Sequence, residues 1–330
     1  MADSIVFAGV DEAGLGPILG PLALGFSAFR APRKAADPWR ALAPIVSDDP
    51  RRDAGSFVVA DSKRVFQRTA RCARRLEATA LGFLALLDAG RRPHTNVARF
   101  LWETPAELAV ASNVVARHPW YRDGARRLPR HWDAESLELR VESLHRALRR
   151  AGIELLDAGV RVVPEAELNR SFDETSNKSL SHWHASRPIF RRLWERCATE
   201  ELELVVDRHG GRMHYGSMLA RDFQDASVLL VEEAPERSTY ALKERRGPRS
   251  MRITFAERAE QASFAVALAS CLAKYARESA MASLNEWFGA RQAGLDPTAG
   301  YTTDGRRWLG DAHELIEREK IDRGVLVRTR

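Results

Sequence analysis

Cysteine is scarce in this chain, with three in 330 residues. Cys72, Cys197 and Cys271 are odd in number and far apart, which excludes a disulfide framework or a zinc finger and fits a reducing compartment, the cytoplasm. No apolar run is long enough to span a membrane, so no membrane partner is expected. The opening stretch MADSIVFAGVDEAG has no basic start, no long apolar segment and no cleavage site, so no secretory signal is expected either. Internal repeats and low-complexity tracts are also missing. What remains is an ordinary globular composition, 45% hydrophobic and 29% charged, in a length that suits one large domain or a domain carrying an insertion.

Positive charge is in modest excess, with a formal net charge of +6. It is concentrated: residues 91–150 hold twelve Arg, no Lys and seven Asp or Glu, a local net of +5. That favours a polyanionic partner. Trp102, Trp120, Tyr121 and Trp132 lie among these arginines. They read as the small core of an inserted, mostly helical subdomain at 88–155, with some arginines facing nucleic acid. Residues 1–87 and 156–330 then form the main domain.

The period of the apolar residues gives an α/β fold. IVFAGV (5–10) and LALGFSAF (22–29) read as an antiparallel strand pair across a Gly/Pro turn. A helix is expected from about 66 to 87, a strand near 160–163, and a helix over SLSHWHASRPIFRRLWERCA. ELELVVD (201–207) reads as a strand. ASVLLVEE, STYALKER and SMRITFAE follow as further strands, then a long helix from about 258 to 288. A crossover separates IVFAGVD from ELELVVD, so parallel pairing is natural and sets Asp11 beside Asp207.

An acid ending a strand is ordinarily just a solvated terminus. Two apolar strands that each end in Asp are different, because converging carboxylates repel and a cation offsets the repulsion. A hard cation such as Mg²⁺ takes oxygen ligands, and two such ions about 3.5–4 Å apart clamp a phosphodiester for attack by water.

The motifs sharpen this. VDEAGLGPILGPLALG (10–25) resembles the opening signature of type 2 ribonucleases H, and DSKR (61–64) resembles that family's Asp-Ser-Lys segment. ELVVD is similar to its next acidic strand. EQASFAVALASCLAKYARE (260–278) is similar to its helix, with Glu260 ten residues before Ser270 and fourteen before Lys274. AGYTT (299–303) is similar to its Gly-Tyr-x-Thr. The blocks stand in the family's order.

The resemblance implies a ribonuclease H-like fold, a mixed central sheet flanked by helices. It also implies two Mg²⁺ or Mn²⁺ ions and hydrolysis of the RNA strand of RNA–DNA hybrids to 5′-phosphate and 3′-hydroxyl ends. It carries the catalytic and metal-binding acids onto Asp11, Glu12, Asp207 and Glu260. Nucleic-acid contacts fall on Gly14, Gly16, Ser62, Lys63 and Tyr301, with Arg208 added as a phosphate contact from the basic turn DRHGGRMHY. Lys274 reads as structural, since fourteen helical residues put it about 21 Å from Glu260.

Two departures stand out. Leu15 replaces the family's Arg between the two glycines, which removes a bidentate phosphate partner. Glu260 replaces its Asp, and Glu257 offers a second carboxylate one turn earlier. These leave open a non-catalytic nucleic-acid-binding protein and a DNA-directed nuclease of the same fold. His182 and His184 stand two apart without further ligands nearby, a poor zinc site.

Overall fold

The computed structural model describes residues 4–33, 37–52, 55–122 and 126–329. Its strands are β1 (Ser4–Ala13), β2 (Leu22–Pro32), β3 (Val46–Ser47), β4 (Phe57–Val58), β5 (Glu154–Val163), β6 (Leu202–Asp207), β7 (Ala226–Glu233), β8 (Arg237–Glu244) and β9 (Ser250–Ala256). The helices are α1 (Pro38–Leu42), α2 (Ser62–Val65), α3 (Ala70–Ala85), α4 (Val97–Trp102), α5 (Ser112–Ala116), α6 (Pro119–Arg122), α7 (Ala134–Ala151), α8 (Glu165–Thr175), α9 (Lys178–Cys197), α10 (Gly216–Asp222), α11 (Phe264–Gly289), α12 (Thr302–Asp311), α13 (His313–Arg318) and α14 (Arg323–Leu326).

Seven strands form one mixed sheet in the order β5-β2-β1-β6-β9-β8-β7. β1 and β2 pair antiparallel, as their alternation and intervening turn predict. β6 runs parallel to β1 with Val206 opposite Val10, so Asp11 and Asp207 leave the sheet at the same edge. β9 lies parallel to β6, and β8 and β7 extend the sheet as an antiparallel hairpin.

One face of the sheet is covered by α11, with α3 and α7 packed beyond it. The other face is covered mainly by α9. α11 is apolar almost all round and accordingly buried. It lies unusually close to the sheet. A Cβ added to Gly9 would sit 2.1 Å from the Val266 nitrogen, and one added to Gly25 would sit 2.1 Å from the Ala269 oxygen. Between them, the Ser27 hydroxyl donates to the Ala265 carbonyl at 2.9 Å. Small residues on β1 and β2 thus let the helix backbone rest on the strands.

Three boundaries differ from the sequence reading, each for a local reason. α3 begins at Ala70 because the Thr69 side chain caps it, and residues 62–65 form a separate turn capped by Asp61. α11 begins at Phe264 because Ser263 caps it and Arg258 turns left-handed (φ 54°), leaving 259–261 as a 3₁₀ turn. β5 starts at Glu154, six residues earlier than expected, paired along β2. The aromatics of 88–155 do not enclose a core of their own. Trp120 packs at 6.1 Å from Trp287 and 5.7 Å from Phe288, and Phe100 at 5.3 Å from Tyr275, all on α11. Several arginines there are neutralised locally, as in Arg91–Glu142, Arg117–Asp322 and Arg130–Glu286.

Candidate active site at the strand ends

Side chains alternate along β1, so Asp11 projects to the α11 face with Gly9, and Glu12 to the α9 face with Val10. Asp207, the last residue of β6, follows Val206, which lies opposite Val10. Asp11, Glu12 and Asp207 each offer a carboxylate oxygen within 4.8 Å of the other two. Glu260 is not part of that trio. It lies in the 3₁₀ turn before α11, buried, and near enough that its charge acts on both aspartates. The same turn faces Asp207 directly, since the Ala259 N–H donates to its carboxylate.

Packing these acids together raises their affinity for protons. Burial, then the Asp207 charge, pushes the Asp11 carboxyl up to about 7, with a Ser270 hydrogen bond opposing. Burial and Asp11 hold Glu12 well above its usual range, and burial and Glu260 push Asp207 up to about 6. Each group therefore binds its proton more tightly folded than unfolded. Its ionisation destabilises the fold as pH rises from about 4 through about 7. The exposed Lys63 lowers the cost for Glu12 and Asp207 only in part. A cluster of hard oxygen donors whose own charges oppose folding fits one or two small divalent cations.

α2 and α11 frame the acids. The Ser270 hydroxyl bonds that of Ser62 at 2.9 Å and also reaches Asp11, which ties the DSKR turn to the site through one serine. Lys63 follows, exposed, in the same turn. Lys274, one turn further along α11, pairs with Glu278 at 2.7 Å and lies over the Phe66 ring, a structural role.

The glycine loop borders the other side. Gly14 has a φ of +92°, and its missing Cβ makes room for the Arg277 side chain. Gly16 is exposed, with no atom within 4 Å of where a Cβ would be. The Ile18 and Leu19 N–H groups donate to the Gly300 carbonyl at 2.8 and 3.2 Å. This seats the exposed Tyr301 ring beside the loop. Leu15 packs partly against the core rather than projecting as a charged side chain would.

Arg208 is placed differently from a phosphate contact. Strand alternation turns it to the opposite face from Asp207, where it is buried and donates to Glu257 at 3.0 Å. Glu257 is thereby engaged on that face. A buried histidine pair lies behind Glu12. His182 and His209 stack at 3.9 Å between ring centroids, and burial holds both below their usual pKa, His182 at about 3. His182 Nε2 lies 3.6 Å from a Glu12 oxygen, so a neutral imidazole backs that acid. His184, two positions on, points elsewhere on the helix. The signal of that pair in the sequence was a histidine on the apolar face of α9.

No curated protein matches the chain. Among solved structures it is similar to ribonuclease HII of Archaeoglobus fulgidus in its complex with PCNA, at 16% identity over 99% of this chain and 95% of that one, TM-score 0.42. It is similar also to ribonuclease H2 of Pyrococcus horikoshii OT3, at 16% identity over 98% and 92%, TM-score 0.42. A third is Bst-RNase HIII in complex with Mn²⁺, at 14% identity over 99% and 67%, TM-score 0.39. These superpositions are loose. Residues 216–319 match the family model described as Ribonuclease HII, a stretch that holds Glu260, Ser270, Lys274 and Tyr301. That match covers about a third of the chain, and the blocks before it resemble the type 2 ribonucleases H in the same order.

Proposed function

We propose that the protein is a divalent-cation-dependent endonuclease acting on the RNA strand of RNA–DNA hybrids. The observation that carries this reading is the trio of carboxylates, Asp11, Glu12 and Asp207, drawn within 4.8 Å from adjoining strand ends. No purely structural role accounts for three acids whose mutual repulsion works against the fold.

Asp11, Glu12 and Asp207, joined by Glu260 from the 3₁₀ turn, would hold Mg²⁺ or Mn²⁺, two ions in all. Such ions, when bound, polarise the scissile phosphodiester and water. The chain's own residues do the rest. Ser270 orients Asp11 and fixes the Ser62–Lys63 turn, whose ammonium meets a phosphate. The glycine loop lets backbone at Gly14 and Gly16 approach the ribose, and the Tyr301 ring packs on a sugar. Residues 1–87 and 156–330 carry this site, and 88–155 adds arginines outside it.

Purified protein incubated with Mg²⁺ or Mn²⁺ tests the reading on hybrid, RNA duplex, DNA duplex and DNA containing one ribonucleotide. The expected result is metal-dependent cleavage of the RNA strand of the hybrid. Cleavage of DNA alone would replace the substrate, and tight hybrid binding without turnover would make the protein a binding module. Silence on every substrate, with no binding, would remove the function.

A further inference from the structure

The loop between the acid pair and β2 is shaped from beneath by a buried polar cluster that the catalytic reading does not use. Arg328, near the end of the chain, is almost fully buried. Its Nη1 donates to the carbonyl of Gly14 and, at 3.5 Å, to that of Leu15, while its Nη2 donates to the carbonyl of Gly20. One guanidinium thus spans both ends of the loop. The segment around it is itself pinned to the loop. The Arg328 N–H donates to the Ile18 carbonyl at 2.9 Å, and Val327 bridges Leu19.

Two more groups complete the cluster. Arg277 Nη2 donates to the carbonyls of Leu19 at 3.3 Å and Ala299 at 3.1 Å. The fully buried Glu165 accepts from the Gly20 N–H at 3.0 Å and from the Tyr121 hydroxyl at 3.1 Å. Its charge opposes the two arginines.

A trans peptide points its C=O and N–H in opposite directions. Carbonyls of Gly14 and Leu15 held inward therefore turn the N–H groups of Leu15 and Gly16 outward. Neither N–H has a partner among the described residues. Outward-facing successive N–H groups form a concavity that suits an anionic or hydroxyl oxygen. They lie within four residues of Glu12, beside Tyr301. At position 15 this chain has no guanidinium to reach over the loop.

We propose that Arg328 is a positioning residue for substrate: from below, it presents the Leu15 and Gly16 N–H groups to the ribose–phosphate backbone of the cleaved strand. This rests on the hybrid-cleaving reading above. The C-terminal segment becomes part of the substrate site, and truncating it disables recognition before it disables metal binding.

The test compares the full-length protein with Arg328→Gln, and with Arg328→Gly with or without added ethylguanidinium. In Arg328→Gln the KM for hybrid rises about tenfold or more, the scale of a lost charge-assisted hydrogen bond. Turnover changes little, and the Mn²⁺-induced rise in melting temperature stays as in the parent. Ethylguanidinium, but not ethylammonium, restores KM in Arg328→Gly. A measurement on the unmodified protein covers variants that do not fold: amide hydrogen exchange at Leu15 and Gly16 is fast when free and slows on hybrid binding.

An unchanged KM in a folded Arg328→Gln, or exchange at these amides that hybrid does not alter, overturns the role of Arg328 alone. A parent that neither binds nor cleaves hybrid overturns the function and this inference together.

Discussion

Replacing Asp11 by Asn abolishes cleavage, lowering kcat by about 10³-fold or more, at or beyond what losing one preorganised electrostatic group costs. The same change makes the metal-free protein melt several degrees higher at pH 8. Both effects have one cause. Asp11 is buried, faces Asp207 and Glu260, and holds its proton up to about 7 because its charge is unwelcome without a cation. An amide keeps the shape and the Ser270 contact but carries no charge, so repulsion goes and cation affinity goes with it. Assay of turnover and of melting on one preparation separates this from simple misfolding, which would lower both. A variant that keeps parental turnover would remove Asp11 from the chemistry.

Replacing Gly9 by Ala destabilises the protein by about 3 kcal/mol or more, the upper range for overpacking. The new methyl would meet the backbone of α11 at 2.1 Å from Val266 N, and a helix backbone cannot step aside as a side chain does. Either α11 lifts or β1 bends. Gly9 is two residues from Asp11, and α11 carries Ser270, so activity falls with stability. Gly289→Ala, with no atom within 4 Å of the new methyl, is the control and raises stability slightly, by about 0.4–1 kcal/mol. Denaturant melts of the two variants decide it. Equal midpoints would mean that α11 is not seated as closely as described.

The site divides into parts readable from sequence and parts that are not. Parallel pairing of β1 with β6 follows from two apolar runs separated by a crossover, and it brings Asp11 and Asp207 to one edge. Alternation in the same strands could also have shown that Arg208 turns away from Asp207, since adjacent residues face opposite sides of a sheet.

The turn holding Glu260 was harder to place. Acids before a long apolar helix suit its first turn equally well, and only the Ser263 cap and the left-handed Arg258 separate the turn from the helix. The support beneath the glycine loop was not readable at all. Arg328 reaches Gly14 across 314 positions and Glu165 reaches Gly20 across 145, through bonds to backbone that leave no periodic trace. Arg277 lies in a mostly apolar helix that also carries Lys274 and Glu278, so its charge alone does not single it out. The aromatics of 88–155 misled because aromatic residues amid arginines suggest a separate unit, whereas Trp120 completes the core over α11.

Thermal melting of the metal-free protein at pH 5 and pH 8, with and without Mn²⁺, tests the central claim most directly. Without metal, the melting temperature falls between the two, because Asp11 and Asp207, with pKa values near 7 and 6, ionise against one another. Mn²⁺ reverses that loss at pH 8 and does little at pH 5, and Asp207→Asn weakens the reversal. A melting temperature that Mn²⁺ leaves unmoved at pH 8 would contradict the account, because the strand-end acids would then not be a cation site.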